Sequence, residues 1–392
     1  MQLKNYDYIF LGAGCASLSI ITRMIDSNKF NQKKILLVDK QPKTKNDRTW
    51  CFWEEEPGYF DKIVYHKWKQ LFFNTGNEIL PLKMDNYQYK MIRGIDFYKH
   101  CFSKINLQQN IDIIYGDISF EEGDNELVKL KINNEPIVSG ANTIIFSSIQ
   151  ANSKKQKGKF YLLQHFKGWL IETSDDVFNP LQATIMDFSV SQTHGTTFVY
   201  VLPLSRNKAL IEYTIFSENL IADEDYNKEL TSYLDKIDGL KNYTIIEEEF
   251  GVIPMTNAHF SSFKNGIHFL GTAGGQTKPS TGYTFRFIQK EADKIVEELI
   301  SKGTIPIDKK INKRFLFYDS TLLHILSKKL LAGKTIFSVL FKKNPATTIF
   351  KFLDNETTVS QELKLLNSLP KKIFSKAGFG EFLKMIGKRK RD

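Results

Sequence analysis

The chain has 392 residues, 42% of them hydrophobic and 25% charged, which suits a globular protein of two packed units or one unit with a large insertion. No stretch approaches the roughly 18 uninterrupted apolar residues of a membrane-spanning helix, so a soluble or peripheral protein is expected. Net charge is +10, yet residues 301–392 carry 20 Lys/Arg against 7 Asp/Glu, so the first 300 residues sum to −3 and the basic character belongs to the tail.

Cys15, Cys51 and Cys101 are an odd set without a Cys-x-x-Cys pair, which argues against a disulfide framework and a zinc site and fits a reducing, cytoplasmic setting. His165, His194, His259 and His268 show no metal-ligand spacing and read as structural.

The first element is an apolar strand, Tyr8-Ile9-Phe10-Leu11, that runs into Gly12-Ala13-Gly14 and then a helix-compatible segment reaching Ile25. Such a turn aims backbone N–H groups and a helix N-terminus at one point, a place for phosphate. A second strand, Ile35-Leu36-Leu37-Val38, ends in Asp39, where a ribose hydroxyl would find an acceptor. Asp39 lies 22 positions after Ser17, which occupies the place of the third glycine. A secretory or lipoprotein leader, the rival reading of Lys4 and Cys15, leaves the second strand and Asp39 unexplained.

A lysine-rich loop leads to Asp47-Arg48-Thr49-Trp50-Cys51-Phe52-Trp53-Glu54, an aromatic cluster that either caps a core or lines a site. Gly94 to Ile105 reads as an amphipathic helix; Ile111–Ile114, Leu127–Ile132 and Thr143–Phe146 read as strands. From Phe160 the pattern turns to alternating strands at Tyr161–Leu163, Trp169–Glu172, Ala183–Phe188, Thr197–Leu202 and Ala209–Phe216, an antiparallel sheet. A helix near Asp223–Ile237 and a strand near Tyr243–Phe250 follow.

Gly266 to Gly275 is a second strand running into glycines, and Thr281-Gly282-Tyr283 precedes a helix over about Phe285–Ile300. This unit predicts a return to the nucleotide domain, an arrangement that suits a flavin dinucleotide better than a nicotinamide one. The expected class is α/β: a Rossmann-type FAD-binding domain, an inserted antiparallel β-sheet domain for substrate and a helical C-terminal region. The FAD domain is assigned to residues 1–75, 95–159 and 265–300, with substrate-domain strands at 76–94 and the substrate sheet at 160–264. Residues 301–392 form the basic helical region. There Ile336–Lys343, Thr348–Leu353 and the closing Gly387–Arg391 interleave apolar and cationic side chains, as an interfacial helix does, and a helical bundle with a solvated basic face fits equally.

Several of these stretches resemble the lycopene cyclases of carotenoid-making bacteria. They are Gly12–Leu18, Asp47–Glu54, Met186-Asp187-Phe188 leading to Phe198–Pro203, Leu210–Ser217, Glu249–Met255, and Gly271–Gly275 through Thr281-Gly282-Tyr283. The resemblance implies FAD that must be reduced for activity yet undergoes no net redox change, with NAD(P)H as its reductant. It implies lycopene and related acyclic carotenoids as substrates, a β-ionone ring as product, and an isomerase (intramolecular lyase) reaction. FAD contacts are expected at Gly12, Gly14, Ser17, Asp39, Arg48, Gly271, Gly274, Gly275, Thr281 and Gly282. Thr272 stands where related flavin hydroxylases carry Asp, which argues against hydroxylase chemistry.

Ring closure needs an acid to protonate C2 of the acyclic end, attack of the C5=C6 bond on the C1 cation, and loss of a proton from C6. A carboxyl in an apolar tunnel suits the first step, because desolvation keeps it protonated. Glu212, inside the apolar strand Ala209–Tyr213, is the expected acid, and Glu249 a second group for orienting or proton removal. An outward-facing strand carboxylate and a solvated acidic run with Glu247 and Glu248 are the plainer readings of the two. Trp50, Trp53 and Tyr283 either line the polyene tunnel or the flavin face, or pack the core. The water-insoluble substrate and the basic tail imply docking on an anionic membrane at its cytoplasmic face, with no nucleic-acid partner. Two other functions fit the residues: a redox flavoenzyme such as a prenyl reductase or hydroxylase, and a non-catalytic nucleotide-binding protein that docks through its tail.

Overall fold

The computed structural model describes residues 6–122, 128–137, 142–149, 155–306 and 312–388. Leu127, at the start of one expected strand, and Arg389-Lys390-Arg391 lie outside them.

The chain opens with strand β1 (Tyr8–Leu11), helix α1 (Cys15–Asp26) and β2 (Ile35–Asp39), as the apolar runs and glycines predict. The aromatic Thr49–Glu54 stretch forms β3, followed by β4 (His66–Trp68), β5 (Gln70–Asn74), β6 (Ile79–Leu82) and β7 (Gln88–Arg93). Then come α2 (Gly94–Ile105), β8 (Ile111–Tyr115), a small meander of β9 (Ile118–Glu122), β10 (Val128–Ile132) and β11 (Glu135–Ile137), and β12 (Ile144–Ser147). The middle of the chain supplies β13 (Tyr161–Thr173), β14 (Gln182–Asp187), β15 (Thr196–Pro203), β16 (Lys208–Ser217), α3 (Asp223–Leu234) and β17 (Tyr243–Thr256). The pair β18 (Phe263–Lys264) and β19 (Ile267–Phe269) leads to α4 (Phe285–Lys302). Helices α5 (Lys313–Ser327), α6 (Gly333–Lys343), α7 (Ala346–Leu353), α8 (Val359–Ser368) and α9 (Lys371–Lys388) complete the described chain.

One sheet has the order β18-β19-β12-β1-β2-β8 and is parallel apart from the edge strand β18. Strand β1 sits between β2 and β12, so the order reverses at β1, and the carboxyl end there is where doubly wound sheets bind ligands. Gly12 and Ser148 meet at that point.

The second sheet has the order β17-β13-β16-β15-β14-β5-β6 and is antiparallel except where β14 meets β5. Strand β13 runs unbroken for 13 residues, although Gln164, His165 and Lys167 interrupt its apolar pattern. Each of the two basic residues is satisfied on the buried outer face: His165 by Tyr226 and Ser217, Lys167 by Asp223 and Glu248. Pro254 is tolerated because β17 is an edge strand.

Side-chain alternation gives this sheet two faces. Ile211, Tyr213 and Ile215 of β16 pack beneath α3. Leu210 and Phe216 on its other face, with Phe198 and Leu202 of β15, join a core shared with α5, α6 and α7. Ile336, Phe337, Leu340, Phe341, Ile349 and Phe350 are buried there, so the two interleaved stretches at 336–353 pack as a bundle on the sheet. In α9, by contrast, Phe379, Phe382 and Leu383 are 63%, 50% and 53% exposed. Among the described residues no helix is long and apolar enough to cross a membrane.

Candidate active site

A cavity of about 510 Å³ opens where the two sheets and α4 meet, walled by β3, β13, β16, β17 and the loops before α1 and α4. Its dinucleotide-sheet side is made of backbone. Gly12 has φ +90°, and a Cβ there would lie 2.5 Å from Ser148 Oγ, so only glycine fits this turn. Gly14 is the N-cap of α1 without a side-chain cap, and α1 has no acidic residue in its first turn. Helix α4 likewise lacks a side-chain cap and an early acid. Gly14, Cys15 and Ala16 of one, and Thr284 and Phe285 of the other, line the cavity, which leaves orphan N–H groups and two helix dipoles for an anion. Gly271, at φ +58°, brings the return loop against Ala16, where an added Cβ would sit 3.3 Å from the Ala16 Cβ.

The other expected nucleotide residues fall into two groups. Asp39 ends β2 and braces the glycine turn, accepting from Ala13 N at 2.6 Å and Gln41 N at 3.3 Å while Lys43 lies 3.2 Å away. Ser17 is fully buried on α1, and its hydroxyl has no partner. Gly274 and Gly275 shape the return loop without lining the cavity; a Cβ on Gly274 would strike Phe269 O. Arg48 lines the rim, half-exposed and paired with Asp47 at 3.0 Å. Gly282, at φ +73°, lies beside the Gln164 side chain in the wall, and the unpartnered Gln164 Oε1 offers a spare acceptor.

Strand β3 divides its aromatic residues between two cores. Trp50 and Phe52 turn toward Phe285, with centroids 5.7 and 4.5 Å away, in the dinucleotide-sheet core. Thr49, Cys51 and Trp53 point the other way, toward the carboxyls and the helices. Trp53 stacks on Phe350 at 4.8 Å, meets Tyr283 edge-on at 4.7 Å and donates from Nε1 to Asp354 at 3.1 Å.

Glu212 lies on the cavity face of β16, between Leu210 and Thr214. In the strand register Gly168 of β13 stands opposite Glu212 on one side and Glu249 of β17 on the other. With no side chain at 168, the carboxyls lean over it and meet within hydrogen-bonding reach. An added Cβ would lie 2.9 Å from Glu249 Cγ. The Thr214 hydroxyl donates to Glu212 at 2.7 Å and the Thr49 hydroxyl to Glu249 at 2.8 Å. Both acids face the cavity and so keep some surface, yet protein encloses them. Burial first, then the charge of Glu249, pushes the Glu212 carboxyl from 4.5 up to about 8, and burial raises Glu249 as well. The pair holds a shared proton at neutral pH, with Glu212 as donor.

Tyr200 and Tyr283 lie next to each other beside Glu212 and line the cavity. Sequence reasoning missed Tyr200, Gly168 and Asp354, because strand pairing and the α7 fold-back, not local motifs, bring them here. Among the described residues no cluster of His, Cys, Asp and Glu could hold a metal ion.

Solved structures share the fold. A geranylgeranyl bacteriochlorophyll reductase-like protein from Thermoplasma acidophilum superposes with a TM-score of 0.59 at 13% identity over 95% of this chain and 98% of its own. A flavoprotein/dehydrogenase from Cytophaga hutchinsonii gives 0.59 at 13% over 96% and 100%. In sequence, the lycopene β-cyclase of Pantoea ananas is 28% identical over 304 residues, 74% of each chain. That of Pseudescherichia vulneris is 25% identical over 311 residues, 77% of this chain and 76% of its own. The model of the lycopene cyclase protein family matches residues 7–377, nearly the whole described molecule, and the chain belongs to that family.

Proposed function

We propose that the protein is a lycopene β-cyclase, an isomerase that turns the acyclic ends of lycopene into β-ionone rings. The observation that carries this reading is the Glu212–Glu249 pair, a proton store facing an aromatic-walled cavity, in which neither carboxyl makes an ion pair among the described residues. Glu212 delivers the proton to C2 of the chain end, leaving a cation at C1 that the C5=C6 bond attacks. Glu249 holds Glu212 in place through the shared proton, and the pair takes back the proton released from C6. Thr49 and Thr214 fix the two carboxyls by their hydrogen bonds. Tyr200, Tyr283 and Trp53 offer aromatic faces to the passing cation.

The backbone side of the cavity fits FAD: two uncapped helix N-termini, a glycine turn that tolerates no Cβ, and the spare Gln164 acceptor. Gly12, Gly14, Gly271 and Gly282 would hold it, with Arg48 at the rim and Asp39, Ser17, Gly274, Gly275 and Thr281 supporting the surrounding loops. Bound and reduced, with NAD(P)H as the electron source, FAD would supply negative charge to the site without net redox change. The sheet unit of 160–264 then presents the acids and the dinucleotide-binding unit the cofactor. The insoluble substrate and the exposed apolar and lysine side chains of α9 support docking on the cytoplasmic face of an anionic membrane.

The test is expression in a lycopene-accumulating bacterium, with pigments separated by chromatography. Wild type is expected to yield cyclic carotenoid. Glu212→Gln is expected to yield none while retaining bound FAD; ring formation at a normal rate by that variant removes Glu212 as the acid.

A further inference from the structure

A second cavity, of about 500 Å³, lies within helices α5–α9, away from both carboxyls. Phe317, Leu322, Leu365, Leu366 and Phe374 contribute to its walls. Its one carboxylate, Asp319, is neutralised by Lys278 at 3.0 Å and bonded by Ser280 at 2.6 Å, so its charge is already answered. The lining is mainly apolar, with Tyr318, Asn367, Lys371 and Ser375 among its polar members, so what it chiefly offers is dehydration of a long apolar ligand.

The two cavities stand in series. A narrow gap of about 30 Å³ shares Thr281, Phe337, Leu340 and Leu353 with the helical cavity, and Trp53, Tyr200 and Tyr283 with the carboxyl cavity. Aromatic rings, Leu340 and Leu353 line this gap, which is too small for a linear chain to pass without side-chain movement. At its far side the helical cavity reaches the surface between Phe379 and Phe382 of α9, which line it and are largely exposed. Lys372, Lys376, Phe379 and Leu383, spaced four, three and four apart, form one exposed stripe beside this mouth.

The carboxyl cavity must hold the flavin as well as the reacting chain end, and this leaves no room there for the rest of a long polyene. We propose that the helical cavity receives the half of the polyene remote from the reacting end, which enters from lipid between Phe379 and Phe382. The inference rests on the cyclase reading for the identity of the chain, but its test reads binding and not ring closure.

Gly378 of α9 lines the cavity, and a Cβ there meets only Phe317 Cζ at 3.5 Å and Thr321 at 3.9 Å, so substitution is sterically open at its base. Purified holoprotein is titrated with lycopene in detergent micelles, and binding is read from quenching of tryptophan emission by the polyene. Gly378→Phe, which fills the cavity, is expected to raise the half-saturating concentration about tenfold, with Gly378→Ala within about twofold of wild type. Leu366→Phe, which fills the cavity from α8, serves if Gly378→Phe does not fold, as judged by FAD content and melting temperature. Folded filling variants that bind lycopene like wild type overturn the proposal, as does a wild type that binds none. Wild type that binds through this cavity but closes no ring leaves the inference standing and removes the cyclase reading. Ring closure with unimpaired binding by the filled variants does the reverse.

Discussion

Two groups of buried carboxyls stand in contrast in this protein. Glu54 and Asp354 are held by Arg286 at 3.1 and 3.0 Å, Glu54 also by Lys90 at 3.0 Å, and Asp319 by Lys278. These pairs stitch β3, α4 and the helical region together. Glu212 and Glu249, only a strand's width away from β3, make no ion pair among the described residues; two threonine hydroxyls and each other are their partners. In the first setting a cation lies against each carboxylate and answers its charge. In the second, desolvation and mutual repulsion store a proton under strain, ready for a weak base such as an alkene.

The comparison can be broken most severely at the acid. Glu212→Gln keeps the shape and loses the proton, and cyclisation is expected to fall about a thousandfold or more with FAD still bound, by product chromatography. The neutralised set should respond in stability. Lys278→Met leaves Asp319 uncompensated in the core and is expected to cost about 3–5 kcal/mol in urea unfolding.

The strain at Glu212 has a pH signature. Between 4.5 and about 8 the unfolded carboxyl ionises while the folded one stays protonated, so the folded state binds the extra proton and stability falls as pH rises. Glu212→Gln is free of this loss. It should match wild type near pH 4 and exceed it near pH 9 by on the order of 3 kcal/mol, allowing for partial screening by the cavity. Equal differences in melting temperature at both pH values would place the shift elsewhere.

Gly168→Ala sharpens the comparison without touching a charge. Its methyl would push Glu249 aside, and kcat is expected to drop about tenfold while the alkaline limb of the pH–rate profile moves down, as Glu212 loses its like-charged neighbour. Thr49→Val, which removes one hydrogen bond to Glu249, should cost only about two- to fivefold in kcat.

Much of the dinucleotide half was legible in the chain, because its signals are local: strand, Gly12, helix, strand and Asp39 occupy one short stretch. Glu212 was legible as a polar residue on an apolar strand. Its partnership with Glu249 depends on the registers of three strands across Gly168, and no local pattern encodes that. The stretches at 336–353 announced apolar faces but not their partner; the sheet, not a lipid surface, covers them. The exposed residues of α9 passed unnoticed because Phe379, Phe382 and Leu383 have the same helical spacing as buried ones.

The pairing of β5 with β14 has a consequence for how the molecule is made. Gln70 and Gln182 stand side by side in the finished sheet but 112 residues apart in the chain. As the chain leaves the ribosome, the β5–β6 hairpin waits with an open edge until β14 emerges, through the synthesis of α2 and of the dinucleotide-sheet strands β8 and β12. That long-range closure is expected to be the slow step of folding and its most aggregation-prone moment. Cutting the gene between its two apparent halves would leave both fragments with an unfinished sheet.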